Sequence, residues 1–200
     1  MPGAIVSCYV RFAAKWTLDK VAMNIEDAQR DVRTVFLGGF AGQLVASLIW
    51  FTSSVLGTWY SHRMAIMFLV IGGVFIFPLT QLVLRLMGGP ASLVRGHPMN
   101  ALAMQIAFTV PFALPVAFAA TMYRLNWFYP AVMIVVGVHY LPFIFLYGMW
   151  QFGVLAATLI TAGLATGLYL PNVFSLGGWI TAFALLAFAF VGRSVARHPR

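Results

Sequence analysis

From Val32 to Arg200 the chain carries no carboxylate side chain, and its basic residues stand at the edges of long apolar runs. The four acidic residues, Asp19, Glu26, Asp27 and Asp31, all fall before that point. Few folds tolerate such a pattern. A soluble domain keeps roughly 25% charged residues to cover its surface. This chain of 200 residues has 8%, against 62% hydrophobic. At about 20 residues per crossing, the apolar runs are long enough to be membrane helices. They occupy nearly all of the sequence, which leaves no room in it for a separate soluble domain. A β-barrel would alternate apolar and polar residues over about ten positions, and these runs are continuous. The expected fold class is therefore all-α: a polytopic membrane protein, a bundle of about six transmembrane helices, with both ends in the cytoplasm.

Six spans are expected, at 35–58, 64–87, 101–123, 129–147, 152–169 and 176–191. The division between the fourth and fifth needs argument, because Ala131 to Leu168 is almost unbroken apolar sequence, about twice one crossing. The break is placed at Tyr147-Gly148-Met149-Trp150-Gln151-Phe152-Gly153, where two glycines, a polar amide and an aromatic cluster mark an interface. Charge parity supports it. With six spans and the N-terminus inside, the cytoplasmic segments hold Arg11, Lys15, Lys20, Arg30, Arg33, Arg85, Arg95, Arg193, Arg197 and Arg200. The outer loops hold only Arg63 and Arg124. Merging the two spans would move three arginines outside and weaken the positive-inside bias. Trp59, Tyr60, Tyr123, Trp127, Phe128, Tyr129, Tyr169 and Trp179 fall near the expected interfaces, as an aromatic belt does. The net charge of +8 thus reads as orientation signal and contact with anionic lipid headgroups. No basic stripe with interleaved aromatics points to nucleic acid. The expected partners are the lipid bilayer and, beyond it, further copies of the chain or a membrane protein.

The chain divides into a cytoplasmic N-terminal segment, 1–34, a six-helix membrane domain, 35–192, and a cytoplasmic basic tail, 193–200. Residues 1–22 lack the apolar core of a signal peptide, because Arg11, Lys15 and Lys20 interrupt it. Two readings stand: an interfacial segment with Phe12 and Trp16 at headgroup level, or an extension upstream of an original start at Met23. Asn24 followed by Asp27 resembles a capping box, and Glu26, Asp27 and Asp31 suit the first turns of a helix. That helix is expected to continue into the first span.

Polar groups inside the spans are the candidates for function. Gln43, Gln81 and Gln105 place one amide in each of the first three spans. His139 is the only histidine deep in a span, since His62, His97 and His198 lie in loops or the tail. Together these four could line a polar cavity; alternatively the amides join helices through hydrogen bonds worth about 1 kcal/mol each. Pro78, Pro111, Pro115 and Pro142 each remove a backbone donor, and Pro111 with Pro115 should kink or unwind the third span. Gly38, Gly42 and Ala46 form one small-residue face and Gly163 with Gly167 another. Arg85 can snorkel to the phosphates.

The absences exclude more. Spans without Asp or Glu argue against carboxylate-coupled transport and exclude an aspartyl protease or a carboxylate metal site. Cys8 is the only cysteine, so no internal disulfide or multi-cysteine metal site is possible; its reversible lipidation is conceivable chemistry. A bis-histidine haem would need a second deep histidine. There is no H-E-x-x-H, G-x-S-x-G, Walker loop or G-x-G-x-x-G. No catalytic, metal or cofactor site is therefore assigned.

From Met23, the segment MNIEDAQRDVRTVFLGG and the span ending LIW resemble the start of a family of uncharacterised bacterial multi-pass membrane proteins, a domain of unknown function. GVHYLPFIFLYGMWQFGVLAA resembles the same family, and the similarity covers residues 23 to about 192. The resemblance implies class and a bacterial inner-membrane location, and it carries no activity. Three functions are expected in order: a binding, assembly or accessory component; a small permease or channel for a neutral or hydrophobic solute; and an enzyme acting on lipid.

Overall fold

Apart from the longer segment 87–99, the connections between the spans are short, and short connections set neighbouring helices antiparallel. The computed structural model describes residues 24–170 and 172–197. Expectations for residues 1–22, Cys8, Met23 and the last three residues lie outside this range. Eight helices follow: α1 (Ile25–Val35), α2 (Phe40–Trp59), α3 (His62–Leu86), α4 (Asn100–Tyr123), α5 (Phe128–Tyr140), α6 (Phe143–Tyr147), α7 (Gln151–Tyr169) and α8 (Leu176–Arg197). There is no strand among the described residues. Six stretches are long and apolar enough to cross a membrane, with α5 and α6 sharing one of them. The all-α polytopic membrane fold and the number of spans agree with the sequence.

Two breaks define the layout. Leu37, Gly38 and Gly39 have φ of 51°, 65° and 85°. Three successive left-handed residues cannot continue a right-handed helix, and glycine accepts this conformation cheaply. α1 is thus a separate amphipathic helix and does not run on into the first span. Gly38 belongs to this turn and not to the small-residue face of α2. The second break is Gly148, with φ of 61°, between α6 and α7. It falls within the expected segment, so the fourth and fifth spans are two crossings. Asn24 caps α1 by position, but its side chain makes no capping bond.

The prolines act unequally. Pro142 divides the fourth span: α5 ends at Tyr140 and the chain passes through a tight turn, Leu141 N–H to Val138 carbonyl, before α6. Pro78 sits inside α3, and Pro111 and Pro115 inside α4, with both helices continuous. The third span is therefore not unwound.

Lipid tails are as apolar as leucine, so close packing and not water exclusion must join these helices. α2 packs on α3 and on α8, and α5 on α7. The α8 face toward α2 carries buried residues at four- and three-residue steps, Gly178, Ala182, Leu185, Ala189 and Gly192, of which all but Leu185 are small. At one end the Gly192 position lies so close to the Gly38 carbonyl that a Cβ there would stand 2.6 Å from the oxygen. The Gly163 and Gly167 face of α7 works as expected, meeting the Pro130 carbonyl and ring on α5. The two helices drawn least into this core are α3, with Ala65, Leu69 and Leu84 buried, and α4, with only Ile106 and Ala117.

The Gly38–Gly192 contact puts the start of α2 beside the end of α8. Ala41, Leu84 and Ala91 pack together there, adding the end of α3. This end carries Arg30, Arg33, Arg85, Arg95, Arg193 and Arg197, whereas Arg63 and Arg124 lie at the opposite one. α8 runs past the expected boundary at Val191 to Arg197, so the basic tail begins as helix.

Candidate functional site

The four sequence candidates are not brought to one place. Gln43 on α2 is buried and faces a narrow crevice lined also by Met149, Gln151, Phe152, Phe188 and Gly192. Neither Gln81, Gln105 nor His139 lines it. The side-chain oxygens of Gln43 and Gln151 are both buried without a donor. Gln81 on α3 is half-buried, and Gln105 on α4 is exposed.

His139 on α5 reaches α4 instead. Its Nδ1 lies 2.6 Å from the Thr109 hydroxyl, which donates to the Ile106 carbonyl at 2.7 Å. A hydroxyl has one proton, so Thr109 accepts here and His139 Nδ1 carries the hydrogen. The ring is flanked edge-on by Tyr140 and Phe143. This arrangement ties α4 to α5, the helix against which α4 chiefly packs. The amide of Gln105 lies one turn before Thr109 on an outward face with Phe108, Phe112 and Val116, which are all exposed.

Sequence reasoning passed over a second polar cluster, at the end opposite the arginine-rich one. Ser53 donates to the Ala65 carbonyl at 2.9 Å and pairs with the Tyr129 hydroxyl at 2.6 Å. With that proton committed to Ala65, Tyr129 is the donor in the pair. Ser54 bonds back to Trp50. Every one of these side chains is buried, and Phe128 beside them is buried too. Phe128 and Tyr129 are therefore core residues and not part of the aromatic belt. Trp59, Tyr60, Tyr123 and Tyr169 do face outward. Trp179 donates to Thr58 and stacks with Phe183. A Ser53–Tyr129 pairing has no sequence signature, because the two residues meet only when α2 and α5 do.

At the arginine-rich end α1 acts as a strap. The last carbonyls of a helix have no partner within it. For α6, Gln29 donates to the Phe145 carbonyl and Arg33 to the Tyr147 carbonyl, each at 2.6 Å. Burial, with the neighbouring charge of Arg30, lowers the Arg33 pKa from its ordinary value. On the other side His97 is buried; its Nδ1 accepts the Met99 N–H and its Nε2 faces Asp31 at 3.5 Å. α1 thereby joins the α3–α4 loop to the turn before α7. Gly148 makes room for the strap, since a Cβ there would meet Gln29 and stand 2.9 Å from Arg33. Among the described residues no cluster of histidine, cysteine and carboxylates could hold a metal ion.

Residues 25–193 match the model of a family described as of unknown function. No curated protein and no solved structure matches the chain.

Proposed function

The chain belongs to that family, DUF7010, and from this premise we propose that the protein is a binding or assembly component of the membrane. Its α4 face seats a membrane-embedded partner helix, from another protein or from a second copy. One observation carries the reading: α4 leaves the Gln105 amide exposed within an apolar span. An amide without a partner in hydrocarbon is costly. A partner helix offering a backbone or side-chain group would satisfy it. Gln43 lies in a crevice that neither Gln105 nor His139 lines, which favours this role over a permease, whose path would gather all three. We place the protein in a bacterial plasma membrane with the arginine-rich end and both termini in the cytoplasm, as the positive-inside rule implies.

Native mass spectrometry of tagged protein, gently extracted from its own membrane, tests the proposal. We expect a complex of fixed stoichiometry, reduced about threefold or more by Gln105→Leu. A lone chain carrying flux in liposomes would overturn it.

A further inference from the structure

At the cytoplasmic-type end of α8 four side chains share one face. Phe190, Arg193, Ser194 and Arg197 follow at the three- and four-residue steps of a helix surface and line an open cleft of about 340 Å³. Arg193 is held in place from below: its guanidinium lies over the Phe40 ring, 4.6 Å from the centroid, and that ring meets Phe190 edge-on. Ser194 and Arg197 are exposed. Neither arginine has a carboxylate partner among the described residues, where the ion pair found is His97–Asp31. Two uncompensated guanidiniums and a hydroxyl, lining one open cleft, present donors suited to the oxygens of a phosphate. Phe190, one turn further into the span, is exposed and apolar.

We propose that this cleft is a binding site for an anionic phospholipid, with Arg193, Ser194 and Arg197 on the headgroup phosphate and Phe190 against the start of an acyl chain. The phosphate chemistry alone would also suit a free phosphate ion. The exposed Phe190 and the position at the end of a membrane span select the lipid. The site is independent of α4 and of the assembly role.

The test uses the full chain, purified in neutral detergent and titrated separately with phosphatidylglycerol, phosphatidylcholine and inorganic phosphate. Bound lipid is counted by native mass spectrometry, and phosphate binding is followed by phosphorus NMR. We expect phosphatidylglycerol to be retained in preference to phosphatidylcholine, by a margin that shrinks as salt is raised. The double variant Arg193→Gln/Arg197→Gln should lose about tenfold or more in phosphatidylglycerol binding. Phe190→Ala should weaken phosphatidylglycerol several-fold while leaving any inorganic phosphate binding unchanged. The proposal is overturned if wild type retains both lipids equally, or if the double variant keeps phosphatidylglycerol undiminished. It is equally overturned if inorganic phosphate binds as tightly as the lipid and Phe190→Ala changes neither. Salt dependence and lipid preference are read on the wild type alone, so a variant that fails to fold does not protect the idea.

Discussion

At the scale of single residues, space decides more than chemistry. Gly192 and Gly73 are both helical glycines, and nothing in the residue type separates them. The Gly192 position stands against the Gly38 carbonyl, which belongs to backbone and cannot rotate away. A Cβ at Gly73 would meet nothing within 4 Å. Gly192→Ala should therefore destabilise by about 2 kcal/mol, since overpacking forces α8 off α2. Gly73→Ala should be neutral or slightly stabilising, because alanine is the better helix former. Thermal unfolding in one detergent checks the pair, and equal midpoints would refute the close approach. The polar residues show the same dependence on place. Four candidates were readable in the sequence as polar groups among apolar ones. Which of them are buried, bonded or exposed was not readable, because a helix in lipid is apolar on every side and gives little amphipathic signal. Ser53 and Ser54 went unmarked for the same reason: serine is common in membrane helices, and only contact with Tyr129 sets these two apart.

At the scale of elements, α1 stands out among the described helices for its strongly divided surface, and its two sides have different tasks. Ala28 and Val32 are buried, while Gln29 and Arg33 complete the end of α6. A hydrogen bond from a charged donor is worth about 1.5–3 kcal/mol when sheltered, and Arg33 is only part-buried, so about 1 kcal/mol is the fair expectation. Arg33→Ala should speed amide exchange across α1 about fivefold with little change in α2. Unchanged protection in α1 would show that its apolar face alone holds it. The boundary between α1 and α2 was misjudged from sequence, because charge followed by an apolar run reads as one helix entering the membrane. Of the two glycines that break it, Gly38 reads in the sequence as a packing residue, and it does meet Gly192 closely, but its left-handed conformation with Gly39 also ends the helix. By contrast the break between α6 and α7 was legible, because there Gly148 and Gly153 coincide with a polar amide and interfacial aromatics.

At the scale of the whole molecule, six crossings return the chain to the end where it began. The Gly38–Gly192 contact is the structural expression of that parity. The asymmetry of arginine between the two ends then implies which end faces the cytoplasm. A C-terminal fluorescent-protein fusion should fluoresce, and a C-terminal alkaline phosphatase fusion should be inactive; the reverse pattern would invert the orientation. α3 and α4 stand at the edge of the packed core, so they are the surfaces offered to lipid or to a partner, as the assembly proposal requires.

The sequence by itself determined the membrane class, the number of crossings and the uneven distribution of charge. These follow from length, hydropathy and the placement of arginine, all of which are properties of the chain read one position at a time. Tertiary structure alone decided that α1 folds back as a strap and that Gln43 and Gln105 face opposite environments. It also decided that Arg193 lies fixed over Phe40 beside an open cleft. Each of these depends on which face of one helix meets another. In a lipid solvent that choice is made by close packing between specific surfaces, which hydropathy does not record.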